Sequence, residues 1–158
     1  HGYTVMIHGI YASTSGNTEL VLETIQSNWK DKGLELTLHR VETVTSDLLI
    51  SHQHFVLATS TWEHGVINPL FKSLLVEMKT LDFHGKSASI VGCGDRRYEP
   101  VLFCEGTNIL DEVFSKQGGA RIGEILKIDG DPRFVFETEI KAWADQQFEL
   151  WQKVLHRE

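Results

Sequence analysis

The 158 residues contain no apolar run long enough to span a bilayer and no signal-peptide pattern, so no membrane-inserted segment organises the chain. Positive charge is in deficit: 15 Lys and Arg stand against 22 Asp and Glu, a formal net charge of -7. That balance argues against a general binder of nucleic acid or anionic membranes and for a soluble protein. Cysteine is scarce. Cys93 and Cys104 have neither CxxC nor zinc-ligand spacing, so free thiols in a reducing, cytoplasmic compartment are expected rather than a disulfide framework. There is no GxxxxGK[ST] phosphate loop, no dinucleotide fingerprint, since Gly9 and Gly16 lack its spacing, and no GxSxG nucleophile elbow. Internal repeats and low-complexity linkers are missing, and a single domain over 1–158 is expected. The chain opens on His1 rather than methionine, so the natural start is expected upstream or to have been processed.

What is present is concentrated in one early stretch, "TVMIHGIYASTSGNTELVLETI". An apolar run over 5–11 stops abruptly in small hydroxyl residues, a glycine and an asparagine, and a helical pattern begins at Thr18. The stretch reads as strand, tight loop, helix N-terminus. Hydroxyl and amide donors at the positive end of a helix dipole suit a phosphate. No lysine or arginine lies in or beside the loop, so amides and hydroxyls alone would neutralise the anion. That fits a terminal phosphate on a ligand better than a metal-bound triphosphate. The plain alternative is an N-cap, with Ser15 or Asn17 serving only the helix amides.

Alternation of strand and helix patterns continues to the end. Strands are expected over 5–10, 34–41, 55–58, 87–91 and 121–128. The alternation of Leu34, Leu36 and Leu38 with polar neighbours marks the second as an edge strand. Helices are expected over 18–32, 68–79, with Pro69 at its first position, and 101–116. A short helical or irregular crossover covers 45–51, and Asp131–Pro132 opens a last helix reaching about 155. Five strands alternating with helices call for a three-layer α/β sandwich around a parallel sheet. Loops 12–18, 59–65 and 92–100 all follow strands, hence share the carboxyl edge where such sheets bind ligands.

The second loop, "TSTWEHG", adds Ser60 and Thr61 to the phosphate neighbourhood and then Trp62; the third offers Gly92, Gly94, Asp95 and Tyr98. Each has a plain reading alone: Trp62 as loop packing or an interface residue, Tyr98 as a surface aromatic, Asp95 as a turn cap. Together, a phosphate nest, two planar side chains and glycines permitting close approach describe a molecule with a phosphate tail and a flat head.

The motifs "YASTSGNTE", "TSTWEHG", "VGCGDRRYE" and the later "IDGDP" resemble the flavodoxin family, small carriers of FMN, over nearly the whole chain. The resemblance implies sheet order 2-1-3-4-5, which general knowledge of doubly wound folds already assigns to flavodoxin with FMN at the β1/β3 switch point. It implies that Ser13, Thr14, Ser15, Gly16, Asn17 and Thr18 wrap the FMN phosphate, aided by Ser60. Trp62 would stack on the inner face of the ring and Tyr98 on the outer. Backbone groups of Thr61, Gly94 and Asp95 would read the ribityl chain and pyrimidine edge, with Cys93 and Cys104 beside the cofactor.

Two departures stand out. The family's glycine after the Trp is Glu63 here, followed by His64, and the loop onward to Asn68 is shorter than in many relatives. Residues 100–103 look like a small insertion before Cys104. Elsewhere His52 and His54 read as a solvated turn rather than metal ligands, His8 as a core or surface imidazole, and Cys93 as a small buried residue rather than a redox thiol. Arg96 and Arg97 are either plain surface residues, or meet an acidic partner, or offset the charge of reduced flavin. The functional expectation is a monomeric, low-potential one-electron carrier, not an enzyme, whose redox protein partners dock transiently at the flavin edge. The alternative is a small FMN-dependent quinone reductase on the same fold.

Overall fold

The computed structural model describes residues 6–62, 65–97 and 100–157. Strand β1 (Met6–Tyr11) is buried along nearly its whole length, as expected of an apolar run covered on both faces. Helix α1 (Asn17–Lys30) buries Val21, Leu22, Ile25 and Trp29 at 3.6-residue spacing, then stops where Gly33 takes φ +84°. Strand β2 (Glu35–Arg40) runs parallel to β1 at the sheet edge. A short helix α2 (Ser46–Ser51) crosses to β3 (His54–Trp62), followed by β4 (Val66–Ile67), α3 (Pro69–Met78), β5 (Ser87–Gly94) and α4 (Glu105–Lys116). Two short strands, β6 (Ala120–Arg121) and β7 (Leu126–Asp129), and α5 (Lys141–Leu155) complete the described chain.

The sheet order is β2-β1-β3-β5, with β6 and β7 pairing successively along the far side of β5, all parallel. Counting β6 and β7 as one interrupted strand, this is the five-stranded parallel sheet of order 2-1-3-4-5. Side-chain alternation sends Val56 to the face packed by α1 and α5, with Trp29, Trp143 and Trp151. It sends Phe55 and Leu57 to the face packed by α3 and α4, with Phe71, Met78 and Phe114. No helix of the described residues is long and apolar enough to cross a membrane.

Several boundaries differ from the pattern-based reading. The loop expected over 59–65 is largely strand. Strand β3 continues to Trp62 because Thr61 and Trp62 pair antiparallel with Ile67 and Val66, a local ladder that sequence periodicity does not reveal. The strand expected over 121–128 is broken at Gly123, which sits at φ +66°. Val101 was expected to start a helix, yet it is 91% exposed; α4 begins at Glu105 after Cys104, the one described non-glycine residue with positive φ (55°). The last helix also starts late. Asp131 does cap an N-terminus, its carboxylate accepting from the Arg133 amide at 2.9 Å, but a 3-10 turn (Pro132–Val135) and a wide π turn (Phe136–Ile140) precede α5.

The histidines are also arranged differently from the expected solvated turn. His54 is buried at the start of β3, edge-on to Trp151 with ring centroids 5.5 Å apart. His52 is half-buried and lies against His8, centroids 4.0 Å apart. His8 in turn is 2.9 Å from His39 across the β1–β2 pair. Among the described residues no group of three or more His, Cys, Asp or Glu is placed to hold a metal ion.

Candidate functional site: a cleft at the carboxyl edge of the sheet

The loop between β1 and α1 is shaped from inside by Ser13. Its side chain is buried, and Oγ accepts from the amides of Gly16 (3.1 Å) and Glu19 (3.5 Å). Gly16 turns the chain at φ +90°, a left-handed conformation that a Cβ would penalise by about 1 kcal/mol. The loop is braced from outside by Arg40, which donates to Ser13 O at 3.1 Å and pairs with Glu19, itself accepting from the Tyr11 hydroxyl at 2.9 Å. The result presents Thr14, Ser15 and Asn17 to a cleft of about 380 Å³. Ser13 Oγ thus fixes the loop as an acceptor, with its O–H remaining as a donor. Thr18 lies underneath, buried beside Cys93.

The opposite wall comes from the end of β3, where Ser60, Thr61 and Trp62 line the cleft. Asn68 holds this segment: its Nδ2 donates to Ser60 Oγ at 2.8 Å, and its Oδ1 accepts from the Leu70 amide at 2.9 Å as the cap of α3. The Thr61 hydroxyl turns away from the cleft to accept from the Gly106 amide at 3.0 Å, satisfying the first turn of α4. Trp62 is 45% exposed and leaves a flat apolar surface at the mouth.

The floor is the end of β5. Cys93, Gly94 and Asp95 line the cleft. A Cβ on Gly94 would come within 3.2 Å of Cys104 Sγ and the Phe103 ring, so the backbone lies flat against the 103–104 turn. Gly92 answers a different need: a Cβ there would overlap the Thr107 hydroxyl of α4, so its bareness serves helix packing rather than ligand approach. Burial pushes the Cys93 thiol up to about 11 and the Cys104 thiol up to about 12, leaving both protonated and unreactive at neutral pH.

A fourth segment, within the motif IDGDP, was not assigned to the site from sequence. Gly130 and Asp131 line the cleft together with Arg97 of the third loop. The two loops are joined by Gly130 N to Gly94 O (2.9 Å) and Arg96 N to Asp129 Oδ1 (2.9 Å). Asp131 was legible only as a helix cap, and its second role depends on β7 lying beside β5. Glu63, His64 and Tyr98 lie outside the described residues.

The cleft thus combines an uncharged donor nest, an exposed tryptophan face and the charges of Asp95, Arg97 and Asp131. Among its described lining residues no nucleophile is poised beside a base, and its donors sit where an α-helix begins, an arrangement suited to binding an anion.

The chain matches the model of the family described as Flavodoxin over residues 10–143. The flavodoxin of Maridesulfovibrio salexigens is 34% identical over 142 residues, covering 85% of this chain and 91% of that one. Probable flavodoxin 2 of Bacillus subtilis is 30% identical over 143 residues, covering 87% and 90%. Among solved structures, oxidised Flavodoxin 2 from Bacillus cereus superposes with a TM-score of 0.84 at 28% identity, covering 92% of this chain and 99% of that one. A donor nest at the β1–α1 turn, the strand order around it and this extent of likeness lead to one conclusion: the chain belongs to the flavodoxin family.

Proposed function

We propose that this protein is a one-electron carrier that holds FMN non-covalently in the cleft, acting as a single domain over 1–158. The observation that carries the reading is the cleft itself: Thr14, Ser15 and Asn17 at a helix N-terminus face Trp62 across about 380 Å³, a volume within the range of small-molecule sites. FMN fits this donor set because its phosphate can be held by hydroxyl and amide donors at a helix N-terminus and its ring can stack on a flat apolar face. A flavodoxin from Fusobacterium nucleatum has been solved with flavin mononucleotide bound.

Bound FMN supplies the electron-transfer chemistry; the chain's residues bind and orient it. Thr14, Ser15 and Asn17, with the amides of the first turn of α1, hold the phosphate. Ser13 and Gly16 shape the loop, Thr18 supports it from beneath, and Ser60, oriented by Asn68, closes the phosphate end. Trp62 covers one face of the ring, and Tyr98 is assigned the other. Gly94 and the backbone of Thr61 and Asp95 border the ribityl chain and pyrimidine edge, with Cys93 and Cys104 packed below and Glu63 and His64 next along the chain. Redox proteins dock transiently where the ring edge emerges; the protein is monomeric and cytoplasmic, and its charge of -7 supports protein partners over nucleic acid.

Calorimetric titration of the apoprotein with FMN, riboflavin and FAD tests this. FMN is expected to bind far more tightly than riboflavin, and FAD poorly. Equal affinity for riboflavin and FMN would sink the phosphate assignment.

A further inference from the structure

The wall formed by the third and fourth loops contains the same device twice. In Asp95–Arg96–Arg97 the Asp95 carboxylate accepts the Arg97 amide (2.9 Å), its Nε (3.0 Å) and its Nη2 (2.7 Å). In Asp131–Pro132–Arg133 the Asp131 carboxylate accepts the Arg133 amide (2.9 Å), its Nε (3.0 Å) and its Nη2 (2.6 Å). Both aspartates line the cleft, and each guanidinium is largely exposed while its aspartate is not: 76% against 24% for the first pair, 71% against 28% for the second. Arg96 ties the two loops together through Asp129 and lies 4.1 Å over the Phe103 ring.

Each device therefore pairs a cleft-lining aspartate with a more exposed guanidinium, Arg97 itself reaching the cleft. The aspartates are held ionised, since the Arg97 and Arg133 guanidinium and amide groups keep both carboxyls below the usual carboxylate range. Without the arginines, two anionic groups would border the cleft in a chain already at -7. When FMN takes up two electrons and one proton its ring gains one negative charge, so this wall bears on how tightly the reduced form is held relative to the oxidised one.

We propose that Arg97 and Arg133 are potential-setting residues: as charge clips on Asp95 and Asp131 they keep this wall neutral, and so favour retention of the reduced, anionic flavin. The proposal rests on the FMN reading above. A unit charge roughly 10 Å from an anion near the solvent boundary alters its binding by about two- to fivefold. R97Q and R133Q are each expected to raise the ratio of reduced-FMN to oxidised-FMN dissociation constants about threefold, and R97Q/R133Q about tenfold. The tenfold change reads as about 30 mV, toward more negative values, in the two-electron midpoint.

Anaerobic dye-equilibrated potentiometry of the FMN-loaded proteins, combined with fluorescence titration of oxidised FMN, measures that ratio. R133K, which keeps the charge without the fork, is expected to stay near wild type. D131N/R133Q, which removes charge and counter-charge together, is expected to return to the wild-type ratio. In about 1 M salt the variants should converge. A ratio indifferent to R97Q and R133Q overturns the clips and leaves the FMN site standing, as does a D131N/R133Q protein that behaves like R133Q. A wild type that takes up no FMN overturns the cofactor reading and the clips with it.

Discussion

At the scale of single residues, the site separates side chains that face the ligand from those that shape the loop. Ser13, expected from the sequence at the phosphate, is buried, and its hydroxyl oxygen accepts from the amides of Gly16 in the loop and Glu19 in α1. Thr14 and Ser15 are the exposed pair facing the cleft. Hydrogen bonds to a charged group contribute about 1.5 to 3 kcal/mol each, so T14V/S15A is expected to weaken FMN binding by at least about tenfold while leaving riboflavin binding unchanged. Parallel titrations of both flavins check this, and an equal loss for both would place the two hydroxyls away from the phosphate. Gly92 makes a second residue-level case. Its would-be Cβ overlaps Thr107 of α4, so G92A should lower stability by about 1 to 3 kcal/mol through overpacking, read from urea denaturation. G92A/T107A should recover part of that loss.

At the scale of elements, His8 on β1, His39 on β2 and His52 beyond α2 join three segments at the edge of the sheet away from the ligand loops. The neighbouring Lys86 amine donates to the carbonyls of Ile50 (3.0 Å) and His52 (2.7 Å), adding positive charge where α2 ends. Burial first, and then the charges of His52 and His39, lower His8 to about 4. His39 is lowered for the same reasons, burial and then His52. A folded-state value below the unfolded one, about 6.5, means that the unfolded chain binds protons first as the pH falls. The stabilisation from His8 is therefore complete above about pH 6.5 and is lost as the pH drops through about 4. The slope is at most about 1.4 kcal/mol per pH unit for each group, less where solvent reaches the rings. Urea unfolding between pH 7 and pH 4.5 should show this decline, and H8N should flatten it. Identical slopes for H8N and wild type would assign acid sensitivity elsewhere.

At the scale of the whole molecule, four loop segments from β1, β3, β5 and β7 meet only in the folded chain, so FMN binds the native state and not the unfolded one. Linkage then requires that free FMN at 100 times its dissociation constant stabilise the protein by about 2.7 kcal/mol. Thermal or urea unfolding at graded FMN concentrations should follow that logarithmic dependence, whereas riboflavin at the same concentrations should have a smaller effect. A midpoint that ignores FMN concentration would contradict a site assembled by folding.

Much of this architecture is written locally. An apolar run followed by small hydroxyl residues and a helical pattern defines β1, its loop and α1 because strand burial, turn chemistry and helix periodicity are properties of neighbouring residues. Asn68–Pro69 and Asp131–Pro132 announce caps for the same reason, and Trp62 stands where the pattern places it, at the mouth of the cleft. Local pattern cannot say which loops share a wall. That Asp131 lines the cleft with Arg97 follows from β7 pairing alongside β5, and that Gly92 is bare follows from Thr107, fifteen residues on, crossing above it. The extension of β3 through Trp62 needs Val66 and Ile67 to fold back on it, and His8, His39 and His52 become one group only when β1, β2 and the end of α2 are adjacent. Element type and the donor-rich turn are thus determined by residues close in sequence. Strand register and side-chain partnership decide the rest, because they are set by burial and hydrogen bonding between segments that only the assembled sheet brings together.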